Sequence, residues 1–200
     1  MKLIAVTNGE MCEKQLVEVI IEISPEVDAI ILREKQLVPK AYLSLVKQLI
    51  ERGVDRRKLW IHDRSDLACM TGIHNLHLPE KGLPVREVKG SFPWLNVGVS
   101  VHSLEFAKQA EEQGADYIMF GHIFSTLSKK GSPPQGIQKL AEVTDALTIP
   151  VVAIGGITEE NIHNIRSTSV SAIAVMSGIF DAESPIAAVK KLRREMGHSE

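Results

Sequence analysis

Residues 115 to 131 read ADYIMFGHIFSTLSKKG, an apolar run that gives way to a histidine, then to hydroxyls and two lysines. A histidine at the tip of an apolar run can move protons, bind a metal, hydrogen-bond inside a core or stand in solvent. His122 alone does not choose among these roles, but its neighbours bear on the choice. Seven other apolar runs end in polar residues or glycines: Thr7 and Asn8, Arg33 and Lys35, His62 and Asp63, His77, Ser100 and His102, Gly155 and Gly156, and Ser177 with Gly178. One polar end says little, because every strand meets solvent somewhere. A full set of ends able to bind or to transfer a proton describes a site.

Two of those ends suit an anion. In AIGGI and VMSGI the glycines let the backbone approach a ligand closely, and Ser177 adds a hydroxyl beside the N–H groups of its own turn. Together Gly155, Gly156, Ser177 and Gly178 predict a phosphate grip and a phosphorylated small molecule as ligand, the plainer alternative being a tight turn. In LREK, Arg33 and Lys35 stand two residues apart, so on an extended strand both side chains leave one face. They either hold a second anionic group or pair with Glu34 and Asp63 as a structural network. The segment STLSKKGSPPQG is too long for a minimal turn and reads as a loop that closes over ligand. His62, Asp63 and His77 could in principle bind a metal, yet no HxxxH pattern or carboxylate cluster marks a preformed cage. Between a buried run and such a loop, His122 reads as a general acid/base, and His62, His77 and His102 rank below it.

These residues need elements to position them. Short β-branched runs recur: KLIAVTNG, VDAIILREK, KLWIHD, IHNLHLP, LNVGVSV, ADYIMFGHI, IPVVAIGG and VSAIAVMSG. Several are apolar at consecutive positions, as in parallel strands covered on both faces. Helical periods lie between them, in MCEKQLVEVIIEIS, PKAYLSLVKQLIERG, SLEFAKQAEEQG, IQKLAEVTDAL, TEENIHNIRS and SPIAAVKKLRREM. Ser103, Thr158 and Ser184 stand where N-caps belong, and Gly53 and Gly114 where helices end. Stretches 64 to 74 and 80 to 93 predict short or irregular helices. Eight strands alternating with helices over residues 1 to 200 predict one α/β domain, a (β/α)8 TIM barrel, with a doubly wound open sheet as the alternative. In such a barrel the strand ends named above share one mouth.

Composition sets bounds. Lys+Arg 23 against Asp+Glu 25 gives a net charge of -2 and no field for nucleic acid. The opening residues are too brief for a signal peptide, and no run approaches the roughly 18 apolar residues of a membrane span, so no membrane partner is expected and the chain is placed in the cytoplasm. Cys12 and Cys69 lack partners at metal-ligand spacing and read as small buried or half-buried hydrophobes.

LREK, HLP, GVSVHS, GADYIMFGHIF with its T-x-S-K-K loop, PVVAIGGI and AVMSGIF occur in order over essentially the whole chain. This series resembles the thiamine phosphate synthase family of (β/α)8 proteins, and within it the TenI-type thiazole tautomerases. The resemblance implies that Arg33 and Lys35 bind anionic groups, that Ser100, Thr126, Ser128 and Lys129 line the site, and that backbone at Gly156 and around Met176 and Ser177 holds a thiazole phosphate. It also implies a homodimer. Two departures matter. The synthases carry an Asn-Asp pair after the third strand and a second aspartate in HLGQEDL, the two aspartates holding magnesium; here the first reads His62-Asp63 and the second HLPEKGL, with Gly82 at the aspartate position. Where the synthases have proline in GPIFPT, this chain has His122. Proline cannot move protons, whereas imidazole can. The expectation is therefore a tautomerase that needs no metal or redox cofactor and acts on a phosphorylated carboxythiazole. It would move a proton from ring C2 of the ylidene tautomer of 2-carboxy-4-methylthiazole ethyl phosphate to the exocyclic carbon. The alternatives are a magnesium-dependent thiamine phosphate synthase and an inert protein that binds thiazole phosphate.

Overall fold

A computed structural model describes residues 1–126, 131 and 133–197. Eight strands form in chain order: β1 (Lys2–Val6), β2 (Ala29–Leu32), β3 (Leu59–His62), β4 (Asn75–Leu78), β5 (Asn96–Val101), β6 (Tyr117–Gly121), β7 (Val151–Ile154) and β8 (Ala172–Val175). Each runs parallel to the next, and β8 returns to β1 with Leu3 opposite Ile173, so the sheet closes into a barrel. That last pairing excludes the open sheet. The α-helices are α1 (Glu13–Ile23), α2 (Pro39–Glu51), α3 (Ser65–Thr71), α4 (Val85–Ser91), α5 (Leu104–Glu112), α6 (Gly136–Ala146), α7 (Ser177–Phe180) and α8 (Pro185–Gly197). Among the described residues, no helix is long and apolar enough to cross a membrane.

Strands buried on both faces explain the unbroken apolar runs. Leu3, Ala5, Ile30, Leu32 and Ile61 pack outward into the layer shared with the helices. Ile4, Val6, Ala29, Ile31, Tyr117 and Met119 fill the inside, with Trp60, Ile154 and Met176 packed against them. The strand period of two carries this inside face to the C-terminal rim: Trp60 inside puts His62 inside, and Gly98 puts Ser100 there. Helices obey the expected caps at several ends. Ser103 Oγ accepts from Phe106 N–H at 3.2 Å, and Ser184 Oγ from Ala187 N–H at 3.4 Å. Gly53 and Gly114 follow α2 and α5 in the left-handed region, with φ of 91° and 89°.

Three expectations need correction. TEENIHNIRS yields only a 3-10 turn at Ile162–Ile165, and Thr158 caps no helix. The reason is Asn161, whose Oδ1 accepts from Thr158 N–H at 2.9 Å while its Nδ2 donates to the Gly156 carbonyl at 2.8 Å. Side-chain bonds of this kind offer the backbone a turn in place of a helix. Cys12 is exposed at the start of α1, not buried, while Cys69 is half-buried as expected.

Inside the barrel, Gly98 makes room for the Tyr117 ring: a Cβ there would lie 1.8 Å from the Tyr117 Cζ. Gly98→Ala should therefore displace that ring and lower stability by about 1–3 kcal/mol, the usual scale of overpacking. A urea titration followed by circular dichroism measures it, and an unchanged midpoint contradicts the packing described.

Candidate active site

His122 follows the last residue of β6 and is 6% exposed. Its position is set by how closely β6 and β7 approach. A Cβ on Gly121 would lie 2.1 Å from the Ile154 carbonyl oxygen, and a Cβ on Gly155 would lie 2.5 Å from both Cα and Cβ of His122. Beyond the strands the two chains stay paired, as Ile123 N–H and Phe124 N–H donate to the carbonyls of Ile154 and Gly155, each at 3.0 Å. The peptide bond between Gly121 and His122 is cis. The His122 carbonyl in turn accepts from Gln135 N–H at 2.9 Å. Gly155, read in the sequence as part of an anion cradle, thus has a second task, the seating of His122.

The other residues that the sequence reads as an anion grip lie at the ends of β7 and β8. Gly156 has φ of 67°, a conformation that favours glycine, and a Cβ there would meet the Ser125 carbonyl oxygen at 2.5 Å. Asn161 fixes its carbonyl. The sequence reading missed Asn161, and its spacing from the IGG turn is the only signal that could have found it. Met176 precedes α7 and packs against the inner cluster. Ser177 and Gly178 open α7, so their N–H groups have no carbonyl four residues back to accept them. Asn8 Nδ2 donates to Asp181 Oδ1 just past α7, tying the loop after β1 to the loop after β8.

Arg33 and Lys35 do not stand on a strand. β2 stops at Leu32 and the chain turns, Arg33 N–H donating to Thr7 Oγ1 at 2.8 Å. Glu34 is 3% exposed, and its Oε2 accepts from Gln36 Nε2 at 2.7 Å. Among the described residues neither cation forms an ion pair within 4.0 Å, which leaves the structural-network reading without the bonds it requires. Leu32 pairs with Ile61, so the loop that carries both residues nevertheless leaves β2 beside the end of β3. Burial, followed by Lys35 and Arg33, pulls the His62 pKa down to about 4. The Lys35 ammonium is itself lowered by burial and then by Arg33, with Asp63 opposing.

His62 and His77 face one another inside the rim, ring centroids 6.0 Å apart. His77 is engaged at both nitrogens, Nδ1 with the Tyr117 hydroxyl at 2.7 Å and Nε2 with Ser100 Oγ at 2.8 Å. It is wholly enclosed, and burial with His62 nearby lowers its pKa to about 3. Ser100 therefore belongs to a network with a histidine that the sequence ranked below His122. At the outer rim His102 takes part in a second arrangement that the sequence did not reveal. Its N–H and Nδ1 reach Glu80 Oε2 at 2.8 and 2.9 Å, and its carbonyl accepts from Gln135 Nε2 at 3.1 Å. The loops after β4, β5 and β6 are joined in this way. Thr126 is half-buried beyond β6, whereas Ser128 and Lys129 lie outside the described residues.

Asp63 adopts φ of 58°, and burial raises its pKa against the pull of Lys35 and Arg64. A Cβ on Gly82 would lie 3.0 Å from Asp63 Oδ1. The position of the synthases' second aspartate thus adjoins Asp63, but here it carries no carboxylate. Magnesium favours several well-placed oxygen ligands. Among the described residues no group of three His, Cys, Asp or Glu side chains could hold a metal ion, and this donor set does not fit one.

The sequence profile of the TMP-TENI family, described as thiamine monophosphate synthase, matches residues 3–179. A thiamine-phosphate synthase from Clostridium tetani is 38% identical over 170 residues, covering 82% of this chain and 78% of that protein. One from Pyrococcus horikoshii is 37% identical over 156 residues, covering 74% of this chain and 75% of that protein. Among solved structures, a thiamine phosphate pyrophosphorylase from Pyrococcus furiosus matches with a TM-score of 0.79 at 29% identity, covering 97% of this chain and 94% of that one. A 3-hexulose-6-phosphate synthase matches with a TM-score of 0.77 at 17% identity, covering 98% and 99%, a likeness of fold alone.

The two inner histidines make stability depend on pH. Each has a folded pKa below its ordinary 6.5, so in acid the unfolded chain takes up protons that the folded chain refuses. Their contribution is intact above about pH 6.5 and is lost as the pH falls toward about 4 for His62 and about 3 for His77, at up to about 1.4 kcal/mol per pH unit for each. Denaturant titrations between about pH 7 and pH 4.5 should show stability falling less steeply in His62→Gln than in the parent. Equal slopes would contradict the assignment.

Proposed function

The chain belongs to the TMP-TENI (thiamine monophosphate synthase) family, and on that premise we propose that it is a thiazole tautomerase of thiamine biosynthesis. Its substrate is the ylidene tautomer of 2-carboxy-4-methylthiazole ethyl phosphate. His122, as neutral imidazole, takes the proton from ring C2, and the electron pair of that C–H bond spreads through the ring and onto the carboxylate. The imidazolium then returns a proton to the exocyclic carbon. One double bond moves into the ring, which becomes aromatic, and no atom is gained or lost overall. Gly156 and Ser177 hold the phosphate, while Arg33 and Lys35 face the carboxylate and steady its charge as the proton leaves.

The observation that carries this reading is a buried imidazole seated against Gly155 at the end of β6, where the synthase motif has a proline. An imidazole works as both base and acid near neutral pH, and a proline does neither. The bare Gly82 beside Asp63 supports the same conclusion, since it leaves one oxygen ligand fewer for a magnesium ion shared with a pyrophosphate.

A second reading, thiamine-phosphate synthase, is favoured by the names of the relatives, which carry that activity. An assay with pyrimidine pyrophosphate, thiazole phosphate and magnesium separates the two, and no useful rate of coupling is expected. Replacing His122 by alanine or glutamine should slow tautomerisation by about 100-fold or more, the common scale for a general acid/base, while a phosphorylated thiazole still binds. Conversion at the parent rate would remove the assignment. Binding of the carboxythiazole by the parent without conversion would instead support an inert binding protein.

A further inference from the structure

We propose that His62 is a second catalytic residue, whose imidazole N–H donates a hydrogen bond to the substrate carboxylate while the C2 proton is leaving. The inference rests on the tautomerase reading. His62 is the last residue of β3, 7% exposed, with its ring on the inner face of the barrel. The groups around it come from four elements. Arg33 and Lys35 on the loop after β2 bear on its ring, His77 faces it from β4, Asp63 follows it, and the Tyr42 hydroxyl of α2 accepts its backbone N–H at 3.3 Å. Tyr42 also donates to the Leu32 carbonyl, so one phenol fixes the ends of both β2 and β3.

Of the two inner histidines, only His62 suits this role. His77 has both ring nitrogens engaged by Tyr117 and Ser100, so binding a ligand there would cost it a bond. An imidazole carries at least one N–H in either charge state. Leu32 pairs with Ile61, so the loop that carries Arg33 and Lys35 leaves β2 beside His62, and a carboxylate held by those cations comes to rest near its ring. When the C–H bond at C2 breaks, its electron pair adds density to the carboxylate oxygens. A donor placed beforehand at that point stabilises the transition state more than the ground state, and His62 transfers no proton itself. The resembling synthases carry asparagine at this position.

The test compares His62→Leu, which removes the donor, with His62→Gln, which keeps an N–H. Three measurements are needed for each: tautomerisation kcat and KM, the thermal midpoint, and binding of thiazole ethyl phosphate without the carboxylate. His62→Leu should lose about 100-fold in kcat, the scale of one lost charge-stabilising donor, with His62→Gln recovering much of it and neither altering binding of the carboxylate-free ligand. A parent protein that does not tautomerise the substrate overturns the underlying reading. An active parent with His62→Leu at the parent rate overturns this inference alone. Equal losses in both variants, together with weaker binding of the carboxylate-free ligand, would make His62 structural and also overturn it.

Discussion

The contact between Gly121 and the Ile154 carbonyl leaves no room for a side chain, and the geometry of the mouth follows from it. Because β6 can lie this close to β7, their pairing continues past the strands through Ile123 and Phe124. Gly155 is thereby brought against His122, and the same turn leads directly into Gly156. On the proposed reading, the proton-transferring residue and the phosphate site share one narrow seam. A bulkier residue at 121 or 155 would move both together, which couples two parts of the site that the sequence presents as separate motifs.

Across the mouth the organising term is electrostatic. Arg33 lies close enough to lower the Lys35 pKa, and among the described residues no carboxylate forms an ion pair with either. Arg33 is half-buried and Lys35 exposed, and two like charges held side by side repel, a repulsion that a ligand bringing its own negative charge would relieve. Burial and these cations keep His62 neutral, and burial with His62 nearby keeps His77 neutral, so the inner wall presents hydrogen-bonding groups without adding further positive charge. On the proposed reading, the ligand would span the mouth, its phosphate toward β7 and β8 and its carboxylate toward β2 and β3.

Family membership accounts for the scaffold. What distinguishes this chain is a change of functional groups at a few rim positions. Imidazoles stand at 62 and 122, and a bare glycine stands at 82 next to Asp63. These changes weaken a site for a divalent cation and add groups that donate, accept or carry protons.

Local pattern determined much of this protein. The eight apolar runs became the eight strands, and their sequential order with helices between them left few closed arrangements. Ser103, Ser184, Gly53 and Gly114 marked helix ends because capping depends on residues within one turn. The histidine at the tip of the sixth run was legible for the same reason. Tertiary structure decided the rest, because it depends on contacts between residues distant in the chain. It ended β2 before Arg33 where the loop meets Thr7, locked His77 between Tyr117 and Ser100, faced Asp63 with Gly82, and gave Gly155 to His122 as much as to any phosphate. A strand's period fixes which face a side chain leaves, but only closure of the barrel determines what waits on that face.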